Sequence, residues 1–291
     1  MSNALSPVLE TVLAGLHCGN VTHLASALQP LGRPQIILLA VGICVLVAWV
    51  IRRLAYPTKL KLRQCPGHPN NLTPAHILML LAVWIGASAG LNEMLKLLAA
   101  ENVPGAKLLA FSIAQVIFLA GSLAVAATTF RVGLVRGLGL SVRHWPWDLV
   151  RGIVGYLIVF PVSTGLLYAT SRFVPAQEHE LLTTIKSASP GWPLMLGIVS
   201  AVVLAPLTEE VFFRGLCQSM VQNYGRPWPA ILVAAAFFAL VHLAYPHSMP
   251  AMFALGVVLG YNYARSGRLL APILIHAIFN AVGVIFAMTG Q

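Results

Sequence analysis

Two adjacent carboxylates, Glu209 and Glu210, interrupt a long apolar stretch, and later apolar segments contribute His242 and the pair His276 and Asn280. A charged side chain at membrane depth costs about 2.5–3.5 kcal/mol on insertion scales, so groups retained there are candidates for function. A carboxylate can take a proton from water, and imidazole and amide groups can donate hydrogen bonds to an oxyanion. These residue types can therefore supply a general base and the donors that stabilise a negatively charged intermediate.

Helical spacing separates the two carboxylates. Glu210 and Arg214 are four residues apart, so they share a helix face and can form an ion pair. Glu209 is rotated by about 100° from Glu210 and can point elsewhere. Glu209 is therefore the candidate general base. The alternative is that all three residues form a buried ion-pair cluster that only fixes helix packing.

Two further pairs have the same spacing of four residues. Phe238 can pack against the wall from which His242 projects, and His276 shares a face with Asn280 behind Pro272, a residue suited to opening a helix. Alternatively, His242 hydrogen-bonds to a backbone carbonyl, and His276 and Asn280 only join helices, at about 0.6 kcal/mol per contact in membranes. Each alternative is reasonable for one segment, but three polar segments together favour a functional site.

The composition predicts a membrane protein. Of the 291 residues, 58% are hydrophobic and 9% are charged, and the mean hydropathy is +0.82, whereas soluble domains carry about 25% charged residues. Several apolar runs approach the length of about 20 residues that a spanning helix needs. The runs are 36–51, 75–98, 107–127, 149–171, 192–208, 228–245, 249–264 and 270–288. We therefore predict an all-α polytopic membrane bundle with about eight transmembrane helices.

No internal repeat or long linker divides the chain, which predicts a single membrane domain, 1–291. Polar groups enter the helices only towards the end, so 192–288 is the predicted catalytic core. Residues 1–35 are predicted to be non-spanning or interfacial, because Pro7 and Glu10 interrupt their apolar part and no basic region precedes it. The four cysteines lack a CxxC spacing, which argues against a disulfide framework or a thiolate metal site.

The net charge of +10 is explained by topology. Most basic residues lie in or beside four loops, which are 52–74, 128–148, 214–227 and 265–269. The positive-inside rule places these loops in the cytoplasm and both termini on the opposite side. Contact with anionic lipids accounts for the basic excess, so we predict the lipid bilayer as a partner and no nucleic acid.

Water must reach Glu209, so we expect a hydrated cavity that opens towards the cytoplasmic half of the membrane. If the helices were straight, Glu209, His242 and His276 would not lie at the same depth in the membrane. We therefore predict tilted or broken helices, with a break at Pro206. His179, Tyr245 and His247 fall in predicted external loops and are interpreted as ordinary loop side chains.

The three polar segments resemble the motifs of one family, the CAAX-protease and bacteriocin-processing (CPBP, or Abi) intramembrane proteases, which include the type II CAAX prenyl endopeptidase. The family pattern is EExxxR, FxxxH and HxxxN. Here the motifs occur in order as Glu209-Glu210-Val-Phe-Phe-Arg214, Phe238-Ala-Leu-Val-His242 and His276-Ala-Ile-Phe-Asn280. The specific resemblance covers roughly 192–288, and the N-terminal half contains no matching motif.

The resemblance implies an intramembrane endopeptidase. Glu209 would activate a water with help from His242, while His276 and Asn280 would stabilise the tetrahedral oxyanion. The supporting residues would be Glu210, Arg214 and Phe238. Prenylated CAAX-like tails, bacteriocin leaders and other membrane-associated peptides are all candidate substrates.

The role of a metal is left open by the residues. Glu209, His242 and His276 could supply three ligands to a catalytic zinc, with water in the fourth position. No HExxH motif requires that interpretation, and the metal-free description of the CAAX member favours a glutamate-activated water without a cofactor.

Two non-proteolytic functions compete with this interpretation. A non-catalytic immunity or scaffold protein could bind peptides with the same cluster, because related folds can lose chemistry and keep motifs. A proton-coupled transporter could use intramembrane Glu and His as a relay. The intact set of catalytic positions argues against the first, and the lack of an inverted-repeat counterpart argues against the second.

Overall fold

A computed structural model gives the fold of the protein. The fold is a bundle of long apolar helices. The structure describes residues 32–56, 62, 68–100, 102–188 and 190–289. The helices of eight or more residues in these ranges are α1 (Arg33–Ala55), α2 (Pro74–Leu97), α3 (Ala106–Thr129), α4 (Trp145–Ser171), α5 (Glu180–Ser187), α6 (Trp192–Gln222), α7 (Pro227–Leu240), α8 (Met249–Ser266) and α9 (Leu270–Thr289). The all-α prediction is confirmed, since these ranges contain no strand. The predicted interfacial segment 1–35 lies almost wholly outside them.

Six helices are long and apolar enough to cross a membrane, namely α1, α2, α3, α4, α6 and α9. The other two predicted runs form α7, which has only 14 residues, and α8, whose end carries Asn262, Arg265 and Ser266. About 20 apolar residues are needed for a span. The multi-pass bundle is therefore confirmed, whereas the count of eight spans is not.

The loops gather at two ends of the bundle. Asn223, after α6, donates from Nδ2 to Oδ1 of Asn70 at 2.7 Å, and Asn70 also forms a backbone bridge with Phe130. These contacts join loops that were predicted to be basic and cytoplasmic. At the other end, Thr170 donates from Oγ1 to the carbonyl oxygen of His247 at 2.6 Å. The end that holds His247 is therefore opposite to the basic loops.

Aromatic packing holds α6 inside the bundle. The ring of Phe212 is buried and lies 4.9 Å, between centroids, from the ring of Phe118 on α3. Phe213 meets Phe238 of α7 edge-on at 5.2 Å. Such offset and edge-to-face contacts are favourable aromatic geometries, and they fix the rotation of α6 between α3 and α7.

The expected break at Pro206 does not occur, because α6 is continuous. Its α-helical segment Ala205–Glu210 lies between two π-helical segments, Ser200–Leu204 and Val211–Gln218. Proline cannot donate a helix hydrogen bond, and the wider π turns accommodate that missing donor without a break. Single π turns are frequent at functional sites, and here they flank the two carboxylates.

Small residues bring α9 close to α4. A Cβ atom on Gly155 would lie 2.5 Å from Cδ1 of Ile275, and one on Gly152 would lie 2.8 Å from Cβ of Leu274. Small residues allow close helix packing where lipid offers no hydrophobic driving force. This packing positions the next residue, His276, in the interior of the bundle.

Candidate active site

Glu210 connects the first and third motifs. Its Oε1 accepts a hydrogen bond from Nη1 of Arg214 at 2.8 Å and lies 2.9 Å from Nδ1 of His276. All three side chains are buried, where a charge is tolerated only if it is paired. Because an ionised carboxylate can only accept, Nδ1 of His276 carries the hydrogen in this contact. The pair of Glu210 and Arg214 expected from their spacing is therefore present.

Glu209 is turned away from that ion pair. Its Oε2 lies 3.8 Å from Nε2 of His276, and its side chain is 28% exposed, so it remains accessible from a cavity. Within the described part of the chain, this buried oxygen has no hydrogen-bond partner. One carboxylate is thus neutralised by Arg214, and the other can accept a hydrogen bond from a water.

Phe238 packs among the polar residues of all three motifs. The guanidinium carbon of Arg214 lies 4.7 Å from its ring centroid, a cation–π distance. The same ring lies 5.0 Å from the ring of His242 and meets His276 edge-on at 5.6 Å. Arg214 also donates from Nη2 to the carbonyl oxygen of Gly256 at 3.4 Å. Phe238, which was expected to support the site, therefore contacts Arg214, His242 and His276 directly.

His242 lies in the turn directly after α7. Its Nδ1 is 2.7 Å from the carbonyl oxygen of Phe238, so Nδ1 carries the hydrogen and Nε2 is left as an acceptor. The carbonyl hydrogen bond that we considered as an alternative role is therefore present, and it orients the ring. The contacts of His242 do not include Glu209, but both side chains line the same cavity.

Asn280 is partly committed to a structural contact. Its Nδ2 donates to the carbonyl oxygen of Ala201, in the first π segment of α6, at 2.8 Å. An amide has two N–H groups, so one remains for a ligand. The predicted donor pair of His276 and Asn280 lies on one wall of the cavity.

The cavity has a volume of about 480 Å³ and runs from Glu209 to the exposed side chains of Gln177 and Glu178. Tyr245 and His247 also line it, and no lining residue comes from the basic loops in the described ranges. The described lining therefore runs towards the end opposite the basic loops, whereas an opening towards those loops was expected. Helix α7 ends at Leu240, and the turn after it contributes Val241 and His242 to this lining.

Two residues that sequence reasoning set aside, His179 and Tyr245, lie at the mouth of this cavity. Their rings stack with centroids 4.5 Å apart, and Nδ1 of His179 accepts a hydrogen bond from the backbone N–H of Leu181 at 3.1 Å. Burial lowers the pKa of His179, and the nearby His242 lowers it further, whereas Glu180 opposes the shift. The sequence feature that could have pointed to Tyr245 as a cavity residue is its position three residues after His242.

Zinc was the alternative for Glu209, His242 and His276, and among the described residues no group of three His, Cys, Asp or Glu side chains is arranged to hold a metal ion. The Nδ1 atoms of His242 and His276 contact Phe238 and Glu210, which leaves Nε2 of each ring as the nitrogen that could face a metal ion. Tetrahedral zinc needs nitrogen ligands at about 2.0–2.1 Å. A zinc ion would require these side chains to move together.

Comparisons with known proteins point to one family. The family model for "Type II CAAX prenyl endopeptidase Rce1-like" matches residues 190–282, the range that contains all three motifs. The membrane-embedded CAAX protease MroQ of Staphylococcus aureus (strain USA300) is 27% identical over 151 residues, which cover 49% of this chain and 58% of MroQ. The membrane peptidase candidate YdiL of Bacillus subtilis (strain 168) is 28% identical over 162 residues, or 55% of this chain and 62% of YdiL.

A third relative, an uncharacterized 24.3 kDa protein of Escherichia coli, is 26% identical over 159 residues, which cover 53% of this chain and 67% of that protein. No solved structure matches the chain. Together with the six apolar helices, these similarities support an integral multi-pass membrane protein and a protease within the membrane. Residues 190–282 are therefore similar to the Rce1-like type II CAAX prenyl endopeptidases.

Proposed function

We propose that the chain is an intramembrane endopeptidase in which Glu209 activates a water for attack on a peptide bond. The observation that supports this proposal is the different state of two neighbouring carboxylates. Glu210 is paired with Arg214 and fully buried, whereas the side chain of Glu209 is 28% exposed and lines the cavity. A general base must be accessible to the water from which it takes a proton.

In the first step, Glu209 takes one proton from the water, and the water oxygen bonds to the carbonyl carbon of the substrate. The carbonyl oxygen becomes an oxyanion, which needs preorganised donors. The free N–H of Asn280 is one donor. Because Nδ1–H of His276 points at Glu210, Nε2 of His276 is a second donor only when the ring carries both protons.

In the second step, the tetrahedral intermediate collapses and the bond between carbon and nitrogen breaks. Glu209 returns its proton to the leaving amine, so the carboxylate is regenerated. In the preceding attack step, Nε2 of His242 accepts a hydrogen bond from the water and so orients it. No step in this sequence requires a serine or cysteine nucleophile.

The substrate that we propose is a membrane-associated peptide tail, with prenylated CAAX-like tails as one class. Two observations support it. The cavity combines the polar cluster with apolar walls that include Trp84, Phe111 and Phe118, as expected for a ligand with an apolar part. The relative MroQ is named a CAAX protease. The bilayer brings such a tail to the bundle, and nucleic acid has no role.

Cleavage of farnesylated and unmodified membrane-tail peptides by the purified protein in detergent tests this proposal. Replacement Glu209→Gln should reduce the rate by about a hundredfold to ten-thousandfold, the usual contribution of a general base. The matched control is Glu178→Gln, because Glu178 lines the mouth of the cavity and pairs with Lys186. The control should cleave at a rate close to that of the wild type.

A chelator separates the two chemical interpretations in the same assay. Activity that persists with chelator and is lost in Glu209→Gln supports the glutamate-activated water. Activity that is lost in both cases supports zinc. Normal cleavage by Glu209→Gln, or no cleavage of any peptide by the wild type, contradicts the proposed function.

A further inference from the structure

Gln115 of α3 is a buried amide whose oxygen has no partner among the described residues. Its residue is 5% exposed, and its Oε1 forms no hydrogen bond within the ranges that the structure describes. Gln115 lines the same cavity as Glu209. Most buried polar groups in proteins are paired, and an unpaired group is unfavourable where the dielectric constant is low. A polar ligand in the cavity would satisfy this side chain.

Two contacts hold this face of α3 against α6. Oγ of Ser112 lies 2.6 Å from Oγ of Ser200, and the ring of Phe118 lies 4.9 Å from that of Phe212. Gln115 lies three residues from each of the two α3 contacts, so it shares their helix face. The carboxamide is therefore held on the wall of the cavity that faces α6.

Thr208 provides a second unpartnered group next to the catalytic carboxylate. Its residue is 2% exposed, and its Oγ1 has no hydrogen-bond partner among the described residues. A helical threonine commonly bonds back to the carbonyl three or four residues earlier, and Thr208 does not. Thr208 also lines the cavity. Polar groups without a described partner therefore lie near Glu209 on α6, at Thr208, and on the facing wall formed by α3, at Gln115.

We propose that Gln115 and Thr208 bind the main chain of the substrate peptide beside the bond that Glu209 attacks, an inference that rests on the proposed function. A carboxamide offers a donor and an acceptor side by side, which match the C=O and N–H of one peptide unit. A peptide extended between helices has no strand to pair with, and its main chain needs partners where water is scarce. Gln115 is thus a positioning residue outside the matched range 190–282.

The test measures peptide binding separately from cleavage. The probe is a dansylated membrane-tail peptide, titrated by fluorescence anisotropy against the Glu209→Gln protein in detergent. Adding Gln115→Met or Thr208→Val should each weaken binding about three- to tenfold, the equivalent of one hydrogen bond. Neither replacement should lower the melting temperature, because each removes a group without a protein partner.

Gln218 is the matched control. It is buried, and its Oε1, like that of Gln115, has no partner among the described residues. It differs from Gln115 because it does not line the cavity and its Nε2 donates to the carbonyl oxygen of Gly260 at 3.0 Å. Gln218→Met should lower the melting temperature and leave peptide affinity unchanged. N-methylation of the probe, one residue at a time, should weaken binding at one position with Gln115 present and have no further effect there in Gln115→Met.

Unchanged affinity in Gln115→Met, or a melting temperature lowered as in Gln218→Met, would overturn the inference, since the amide would then serve the fold. Lack of binding of every probe would overturn it as well. Binding that depends on Gln115 but is followed by no cleavage in the wild type would contradict the proposed proteolysis and leave the peptide site standing.

Discussion

Oε1 of Glu210 lies 2.9 Å from Nδ1 of His276, although 66 residues separate them in the chain. The same oxygen accepts the hydrogen bond of Arg214. Glu210 therefore has a role different from that of Glu209, because it holds the imidazole in one orientation and leaves Nε2 directed at Glu209. Two identical neighbouring residues thus lie in different surroundings, one in a buried ion pair and one beside the cavity.

The two carboxylates should respond differently to loss of charge. Glu210→Gln leaves the buried guanidinium of Arg214 without its counter-ion, and breaking such a pair costs about 3–5 kcal/mol. Glu209→Gln removes a carboxylate that no cation neutralises directly, so stability should be maintained while cleavage is lost. Thermal unfolding of both variants in detergent measures the difference. Equal destabilisation by the two replacements would contradict the separation of roles.

Asn280→Ala removes an amide that we place at the oxyanion. Loss of one such donor reduces kcat by about 10²–10³, and KM should change little because the donor acts mainly on the transition state. The matched control is Asn262→Ala, since Asn262 donates only to Val258 of its own helix and does not line the cavity. A fall in kcat of the same size in the control would show that the loss is structural.

Gly256→Ala should damage the site from a distance. The added Cβ would lie 2.9 Å from the backbone Cα of Ala235, which cannot move aside without shifting α7 away from α8. Overpacking of this kind costs about 1–3 kcal/mol, and it displaces the carbonyl that Arg214 contacts. A lower melting temperature is expected. Gly90→Ala is the control, because its Cβ would meet no neighbouring atom, and an equal loss there would exclude the steric explanation.

Acid should loosen the start of α5. Burial lowers the pKa of His179, so the folded state binds the proton less readily than the unfolded state. The stabilisation by neutral His179 is therefore present above the unfolded value of about 6.5 and is lost as the pH falls below it. A protonated Nδ1 also cannot accept the N–H of Leu181. The protection factors of the α5 amides, which correct for the slower intrinsic exchange in acid, should be lower at pH 5.5 than at pH 7.5.

His179→Asn is the control for this pH effect, because asparagine is a good N-cap that does not titrate. In that variant the protection factors of the α5 amides should be the same at both pH values. Equal protection of α5 at both pH values in the wild type would contradict the role of His179.

The mouth of the cavity should face away from the cytoplasm. The basic loops lie at the opposite end of the bundle, and the positive-inside rule places them in the cytoplasm. In a chain without its native cysteines, Glu178→Cys should react with an impermeant maleimide on intact cells, whereas Arg136→Cys should react only after lysis. The reverse pattern would show that the charge distribution does not set the orientation.

Local spacing was sufficient to predict several contacts. Residues four apart on a helix are neighbours in any fold, so the pairing of Glu210 with Arg214 and the packing of Phe238 against His242 follow from the helix alone. Apolar runs of sufficient length likewise indicated every long helix, because a bilayer leaves few alternatives to a hydrogen-bonded helix. The span count was not confirmed, since run length does not show where α7 ends.

Contacts between segments distant in the chain needed the folded structure. The link between Glu210 and His276, the hydrogen bond from Asn280 to Ala201, and the cavity wall that holds Gln115 depend on how helices rotate and tilt against each other. That arrangement is set by packing, such as the close approach of Gly155 to Ile275, which hydropathy does not record. The end of the bundle towards which the cavity lining runs depends on the same packing.

The sequence by itself determined a helical membrane bundle, its polar motifs and the family that these motifs resemble, because bilayer thickness and helix periodicity act on short segments. Only the tertiary structure decided which carboxylate is neutralised by its contacts, which polar groups of the described residues are left without partners and which side chains line one cavity. Those properties depend on distances between residues far apart in the chain, and such distances are set by the packing of whole helices.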